Sequence, residues 1–403
     1  MLHTFSHIIC APLVAARLFA LGAVMLLLAL APVRGDEVDR RVREAITRLS
    51  HHSFSVRTRA ERTLREIGAP ARQPLVEALS DHDAETRQAA RRILQHILRD
   101  RLYAQIRQFR TIGPDATDSP IAGWQFFRDH VGDSSNAREH FIAAVRAEPV
   151  LIESLELDPT YSSEALQSRT QTLYDALIRN PGRNPGGAQG PGPSTVTSFA
   201  SVSALLIVAA NSQVPLEDDT AQKLFQLMQH SGLTHQLTAE DQPSTRRLVG
   251  HFVRRSAGTP LAYQMLWLSM QCNLPEGLVP AEVIIREKTP QPYVLQNAML
   301  AIAKLGDREH VPLLESYLED EKPVNNRRSS GFQPQIRDVA LAATIHLHGK
   351  DPKQFGFTHL RPNSHTLFQP GTMGFDTPEK RKAAFARWSE WKKQRPTDSP
   401  EAP

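Results

Sequence analysis

Cysteine is nearly absent from this sequence. Of its two cysteines, Cys10 lies in an N-terminal targeting segment and Cys272 would remain alone in the mature chain. A single cysteine cannot form an internal disulfide, which excludes the disulfide-rich class of small secreted domains. Leu261, Met265, Leu268 and Cys272 are spaced as one face of a helix. We therefore expect a buried structural thiol at Cys272 rather than a reactive one.

Long apolar runs are also scarce, and the one that stands out lies near the N-terminus. Arg17 precedes a 16-residue apolar run from Leu18 to Val33. Val33 and Gly35 are small enough for the −3 and −1 positions of a cleavage site before Asp36. This pattern predicts a signal peptide over residues 1–35, since the run is shorter than the roughly 20 residues that span a bilayer. The mature chain is then exported, either periplasmic or secreted, and not membrane-spanning. The alternative is an uncleaved N-terminal anchor.

Motifs that carry catalysis or bind cofactors are missing. There is no His-Glu-x-x-His, no Cys/His quartet and no Gly-x-Ser-x-Gly, and the glycines of 181–195 lack the Lys-Ser/Thr of a phosphate loop. The neighbours Asp129–His130 and Glu139–His140 point about 100° apart on a helix, so neither forms a catalytic pair by itself. The sequence predicts no catalytic, cofactor-binding or metal-ligating residue, although a site assembled from distant residues stays open.

Sixteen histidines still raise the question of a metal. His51, His52 and His82 are predicted in successive turns between helices, where stacked helix pairs would hold His52 and His82 about 10 Å apart. We expect them to be surface turn residues rather than ligands of one ion.

Lysine is absent from residues 36–110, which hold 16 arginines against 11 acids. Arginine at helical spacing among acids is typical of an ion-paired surface. A nucleic-acid interface would need a sharper basic patch with aromatic residues between the charges, so we expect no nucleic-acid partner.

What the sequence does contain is an internal repeat of about 30 residues. Five positions recur at this offset: Leu49, Arg57, Ala60, Leu64 and Ile67 return as Leu79, Arg87, Ala90, Leu94 and Ile97. Each unit reads as two helices, the first pair having its turn at 51–53 and ending at Gly68. Repeats of this length with two helices indicate an all-α protein of the α-solenoid type, because neither helix can bury its apolar stripe alone.

The run VRTRAERTLREIGAPARQPLVEAL, followed by AETRQAARRIL, resembles HEAT repeats. The resemblance implies that Ala60 and Ala90 allow close helix approach and that Arg57 and Arg87 brace neighbouring turns. The pattern returns in 291–320 and in 336–345, where Arg337 and Ala340 correspond to Arg87 and Ala90. Families with this fold serve as scaffolds, adaptors and enzyme accessory subunits, and the fold alone does not choose among them.

The organisation expected from these patterns is a HEAT-like superhelix with an irregular middle. Its parts are a signal peptide (1–35), an N-terminal HEAT-repeat pair (36–111), irregular helical repeats (112–180), a flexible Pro/Gly-rich loop (181–195), C-terminal HEAT-like repeats (196–350) and an extended tail with a terminal capping helix (351–403).

The terminal helix is predicted to start with Thr377 as N-cap and Pro378 at its first position. Phe385, Trp388 and Trp391 fall on one side of it. Two interpretations are open: the helix packs back onto the array, or it presents an aromatic face to a protein, glycan or membrane.

Together these patterns predict a non-catalytic scaffold or adaptor of the bacterial envelope that binds protein partners. Arg57, Arg87, Trp388 and Trp391 are the candidate contact residues, and no cofactor is expected. The alternatives are an enzyme or enzyme accessory subunit on HEAT-like repeats, and an envelope lipid- or glycan-binding module. Oligomeric state and partner identity are not encoded in any pattern of the sequence.

Overall fold

The protein is all-α in the parts that the computed structural model describes, which are residues 32–113, 119–156, 159–179, 198–238, 242–288, 291–324 and 333–394. The helices of the first part are α1 (Pro32–Thr47), α2 (Phe54–Ile67), α3 (Arg72–Glu77) and α4 (Ala84–Thr111). The later helices are α5 (Trp124–Val131), α6 (Ser135–Ala147), α7 (Pro149–Glu153), α8 (Pro159–Arg179), α9 (Phe199–Ala210), α10 (Asp218–His230), α11 (Leu233–Thr238), α12 (Pro243–Arg255), α13 (Ala262–Cys272), α14 (Leu278–Arg286), α15 (Pro292–Leu305), α16 (Val311–Glu315), α17 (Ile336–Leu347) and α18 (Pro378–Lys393).

Strand structure in these residues is limited to one small antiparallel pair. Strands β1 (Pro362–Asn363) and β2 (Leu367–Phe368) pair with Pro362 opposite Phe368. The predicted loop at 181–195 lies outside the described residues, as does the predicted signal peptide except for 32–35, which form the first turn of α1. Among the described helices, none is both long enough and apolar enough to cross a membrane.

The chain divides into two compact units, with the division after Gln108 inside α4. In the first unit, α1 and α2 form the predicted first helix pair with the turn at 51–53. Gly68 ends α2 as expected: its φ of 67° is strained for other residues, and its N–H donates to the Leu64 carbonyl. Val42, Leu49 and Leu64 form the buried seam of this pair.

The second unit has α9 at its centre. Every residue from Val202 to Ala210 is buried, as expected for a helix whose side chains are almost all apolar or small. It packs against α6, α7, α8, α10 and α12. The sequences of α10, α12, α13 and α14 show a helical period of apolar residues, whereas that of α11 does not. That helix has only six residues, of which Leu233 and Leu237 are buried, too few to show a helical period.

The residues between α17 and α18, predicted as an extended tail, belong to the core of the second unit. Phe357, Phe375 and Met373 are buried there with Trp388 of α18. As predicted, Thr377 caps α18, its side chain accepting a hydrogen bond from the Lys380 N–H. The terminal helix therefore packs on the preceding elements.

A buried ion pair fastens α18 to α17. Arg381 donates to both carboxylate oxygens of Asp338, from Nε at 2.8 Å and from Nη2 at 3.1 Å. Asp338 has no exposed side-chain surface, and Arg381 is 13% exposed. Burial raises the pKa of the Asp338 carboxyl, although Arg381 acts in the opposite direction. The carboxylate therefore depends on this partner for its charge.

We predict that Arg381→Met lowers the free energy of unfolding by about 3–5 kcal/mol, because it leaves a carboxylate buried without its cation. Arg286→Met is the matched control, since Arg286 is 66% exposed and pairs with Glu282 on the surface of one helix. Its expected cost is below about 1 kcal/mol. Urea unfolding followed by tryptophan fluorescence measures both, and equal costs would contradict the buried-pair argument.

Candidate functional site: an arginine-lined groove on the first helix pair

A groove of about 470 Å³ lies along α1 and α2 within the first unit. Its lining comes from three residues of α1, from Arg48 directly after it, from His51 and from four residues of α2: Arg41, Glu44, Ala45, Arg48, His51, Val56, Arg59, Ala60 and Thr63. On each side of the groove, four positions follow the spacing i, i+3, i+4, i+7, which is one face of an α-helix. Two facing stripes therefore form the groove, with the small Ala45 and Ala60 both nearly fully buried between them.

The repeat shows why this face is open. Positions 30 residues later have the same place on the second helix pair, and there Leu75, Ala78, Ala89 and Ile93 are buried. The corresponding residues of the first pair are Ala45, Arg48, Arg59 and Thr63. In the first pair this face is therefore more polar and more open, through Arg48, Arg59 and Thr63, whereas Ala45 remains small and buried. The arginines at 48 and 59, where the second repeat has Ala78 and Ala89, are the signal in the sequence that marks this face as different.

The charge of the groove is mostly uncompensated. Within the described residues, the guanidinium groups of Arg41 and Arg59 have no hydrogen-bond or ion-pair partner. Arg48 approaches Glu44 only to 3.9 Å, while the same carboxylate is held at 2.7 Å by Arg40 outside the groove. Three guanidinium groups therefore face one carboxylate that is already shared, and the groove favours an anion.

His51 supplies a further donor at the end of the groove. Its Nδ1 accepts the backbone N–H of Ser53 at 3.0 Å, just as the carboxylate of Asp81 accepts the N–H of Asp83 one repeat later. With Nδ1 used as an acceptor, the proton of the neutral ring lies on Nε2. His51, which lines the groove, therefore carries a ring N–H that is not used by Ser53.

Arg57 and Arg87, two of the predicted contact residues, have equivalent places in the two turns. The Arg57 Nη1 donates to the carbonyls of His51 at 2.7 Å and His52 at 3.2 Å. Thirty residues later, the Arg87 Nη1 donates to Asp81 at 2.6 Å and His82 at 2.9 Å. These hydrogen bonds close the turns between helices. The two arginines therefore have the same structural role in the two turns.

Arg57 and Arg92 also form ion pairs between the two helix pairs. Arg57 forms an ion pair with Glu85 of α4 at 2.8 Å, and Arg92 of α4 in turn pairs with Glu61 of α2 at 2.7 Å. These contacts join the first and second helix pairs within the first unit. The side chain of Arg57 is left 22% exposed.

The two predicted tryptophans lie together in the second unit. Trp388 is 2% exposed, and its ring stacks on that of Trp391 with centroids 4.8 Å apart. Phe355 packs edge-on against both rings. Burial leaves Trp391, which is half-buried, as the ring of this pair that a partner could touch.

The second unit contains a buried serine–histidine network. His140 Nδ1 lies 3.1 Å from Ser244 Oγ, which donates to Asn136 Oδ1, and His140 Nε2 lies 2.8 Å from Ser203 Oγ. Because Ser244 already donates to Asn136, the His140 proton lies on Nδ1 and the Ser203 hydroxyl donates to Nε2. A serine donating to histidine is the geometry of an activated nucleophile. Ser203, however, has no exposed surface, so a substrate could not reach its hydroxyl.

Burial lowers the pKa of His140 from 6.5 to about 4. Its neighbour Glu139 points away and pairs with Arg110 at 2.9 Å, as the helical angle between adjacent residues requires. Phe127 and Phe199 pack against the imidazole. The network is therefore a polar element of the core, held neutral by its apolar surroundings.

In the parts of the chain that the structure describes, no three His, Cys, Asp or Glu side chains come close enough to hold a metal ion. The Cys272 thiol is buried, and burial raises its pKa. No protein-family model matches this chain, and no curated protein matches it either.

We predict that Arg57→Met and Arg87→Met each lower the free energy of unfolding by about 1–3 kcal/mol, because each removes charged hydrogen bonds to two turn carbonyls. Arg62→Met on the exposed face of α2 should change it by no more than about 0.5 kcal/mol. Chemical denaturation compares the three variants. An Arg57 variant as stable as the Arg62 variant would show that the turn does not need this brace.

A second prediction concerns pH. Above pH 6.5, His140 is neutral in both states. As the pH falls from 6.5 to about 4, the unfolded chain binds a proton that the folded chain does not. The histidine then removes up to about 3 kcal/mol of stability.

His140→Gln removes this titration, so the stability difference between wild type and variant should shift by about 3 kcal/mol in favour of the variant from pH 7 to pH 4. His235→Gln, at an exposed position, should follow the wild type at every pH. Urea titrations at pH 7, 5.5 and 4 test this. A constant difference between wild type and His140→Gln would mean that His140 titrates normally.

Proposed function

We propose that this protein is an exported, non-catalytic partner-binding scaffold built as a HEAT-like α-solenoid. The all-α fold, the 30-residue repeat and the matching turn hydrogen bonds of Arg57 and Arg87 support a repeat architecture. Residues 1–35, with the sequence pattern of a signal peptide, support export. Solenoids of this type bind partners along the surfaces formed by their repeated helices.

The observation that carries the proposal is the groove on the first helix pair. In a repeat array the terminal unit has a polar outer face, because no neighbour covers it. Here that face is concave, and its arginines exceed its acids by three to one. A polar terminal face that only keeps the array soluble can carry a balanced mixture of positive and negative charges. Unpaired guanidinium groups in a concave site suit recognition of an anionic partner instead.

The enzyme alternative has weaker support. An active site needs an accessible cavity with a positioned nucleophile or base. The serine–histidine arrangement at Ser203 and His140 is closed to solvent. The groove, which is open, offers arginines and one histidine but no serine or cysteine nucleophile.

The test is direct reconstitution of a complex. The protein, tagged at its C-terminus, is used to capture partners from an envelope extract, and each abundant captured protein is purified separately. We expect one of them to form a complex of fixed stoichiometry with the protein, measured by size-exclusion chromatography with light scattering. If every purified candidate fails to form a complex, or if the protein is not exported, the proposed function is wrong.

A further inference from the structure

We propose that the groove binds a short acidic segment of the partner protein, two of whose carboxylates pair with Arg41 and Arg59. This inference rests on the proposed function and adds the chemistry of the segment that is recognised. Arg41 on α1 and Arg59 on α2 lie on opposite walls, and both lack partners within the described residues. Guanidinium groups bind carboxylates through two parallel hydrogen bonds, which gives the pairing both strength and direction.

The size of the groove limits the segment. On each side of the groove the lining spans seven residue steps, from Arg41 to Arg48 and from Val56 to Thr63. At 1.5 Å per residue this is about 10 Å. An extended peptide advances roughly 3.3–3.6 Å per residue, so about three residues fit along the groove. The volume lies in the range of about 300–1,000 Å³ that is usual for ligand pockets.

The floor of the groove determines which kind of side chain fits at the middle of the bound segment. Ala45 and Ala60 are small and buried, and Val56 is half-buried beside them. They leave an apolar surface between the two arginine-bearing walls. A small apolar side chain would cover this surface without leaving a buried polar group unpaired. The acidic residues on either side of it would then lie against the guanidinium groups. The preferred motif is therefore acidic residue, small residue, acidic residue.

The charge distribution favours a peptide over a nucleic acid or a membrane surface. Outside the groove, several arginines of the first unit are paired with acids, as in Arg40–Glu37, Arg57–Glu85 and Arg92–Glu61. A polyanion needs a continuous basic stripe that neutralises many phosphates. Here the unpaired charge in a concave site is confined to a few guanidinium groups, which suits a short segment with two or three carboxylates.

The experiment uses two fluorescent 15-residue peptides made of Gly and Ser around a central Glu-Ala-Glu or Gln-Ala-Gln. Anisotropy titrations measure their binding to the purified protein and to two double variants. Arg41→Glu/Arg59→Glu reverses the charge of the groove. Arg43→Glu/Arg62→Glu makes the same charge change at exposed positions of the same two helices outside the groove.

We expect the Glu peptide to bind the wild type about tenfold or more tightly than the Gln peptide, a difference of about 1.4 kcal/mol or more. The groove variant should lose this preference, and the control variant should stay within about twofold of the wild type. Arg41→Gln/Arg59→Gln, which removes charge without reversing it, should fall between them. Circular dichroism confirms that all variants remain folded, as expected for substitution of exposed, partnerless arginines.

Three results would overturn the inference: equal binding of the two peptides, equal losses in the groove and control variants, or a stronger dependence on Arg41 and Arg59 for single-stranded DNA or phosphatidylglycerol vesicles than for the Glu peptide. Failure here is distinct from failure of the proposed function. A partner complex that forms equally well with the groove variant removes the acidic-segment inference and leaves the scaffold intact. Peptide binding without any partner complex removes the scaffold.

Discussion

Each helix leaves carbonyl oxygens at its C-terminal end without partners, and short turns between helices bring many such ends together. In this chain, arginine side chains donate hydrogen bonds to carbonyls at such helix ends and turns. In the first unit, Arg57 and Arg87 each donate to two turn carbonyls. In the second, Arg246 donates to the carbonyls of Leu237 and Cys272, and Arg255 to that of Ala209 at 2.6 Å. The planar guanidinium, with five N–H groups, can reach several carbonyls at once, which lysine cannot do with the same geometry.

The same residue type has a different role where no carbonyl is near. Arg41 and Arg59 lie on helix faces rather than at turns, and within the described chain they meet neither carbonyl nor carboxylate. Their charge is therefore available to a ligand. The abundance of arginine in residues 36–110 thus combines two physical roles that composition cannot separate. One role stabilises the repeat, and the other, on our proposal, recognises the partner.

Buried polar groups in the second unit restrict the ways in which its core can pack. Asp338 forms an ion pair with Arg381, whereas burial favours the neutral form of His140 between Ser203 and Ser244. Both groups are satisfied by partners distant in sequence, 43 residues away for Arg381 and 104 for Ser244. Such pairs are specific because an alternative packing would leave a buried charge or hydroxyl unpaired. The buried serine–histidine contact consequently contributes to the specific packing of the core.

The sequence by itself determined the all-α class, the positions of most helices and the Gly68 and Thr377 helix boundaries, because these follow from local periodicity and capping. Only the tertiary structure decided which carbonyls Arg57 reaches, and that Arg59, two residues away, faces an open groove. It also decided that Trp388 is buried and that residues between α17 and α18 complete a core. Periodicity is a property of neighbouring residues, whereas the partner of a side chain depends on which distant element packs against it.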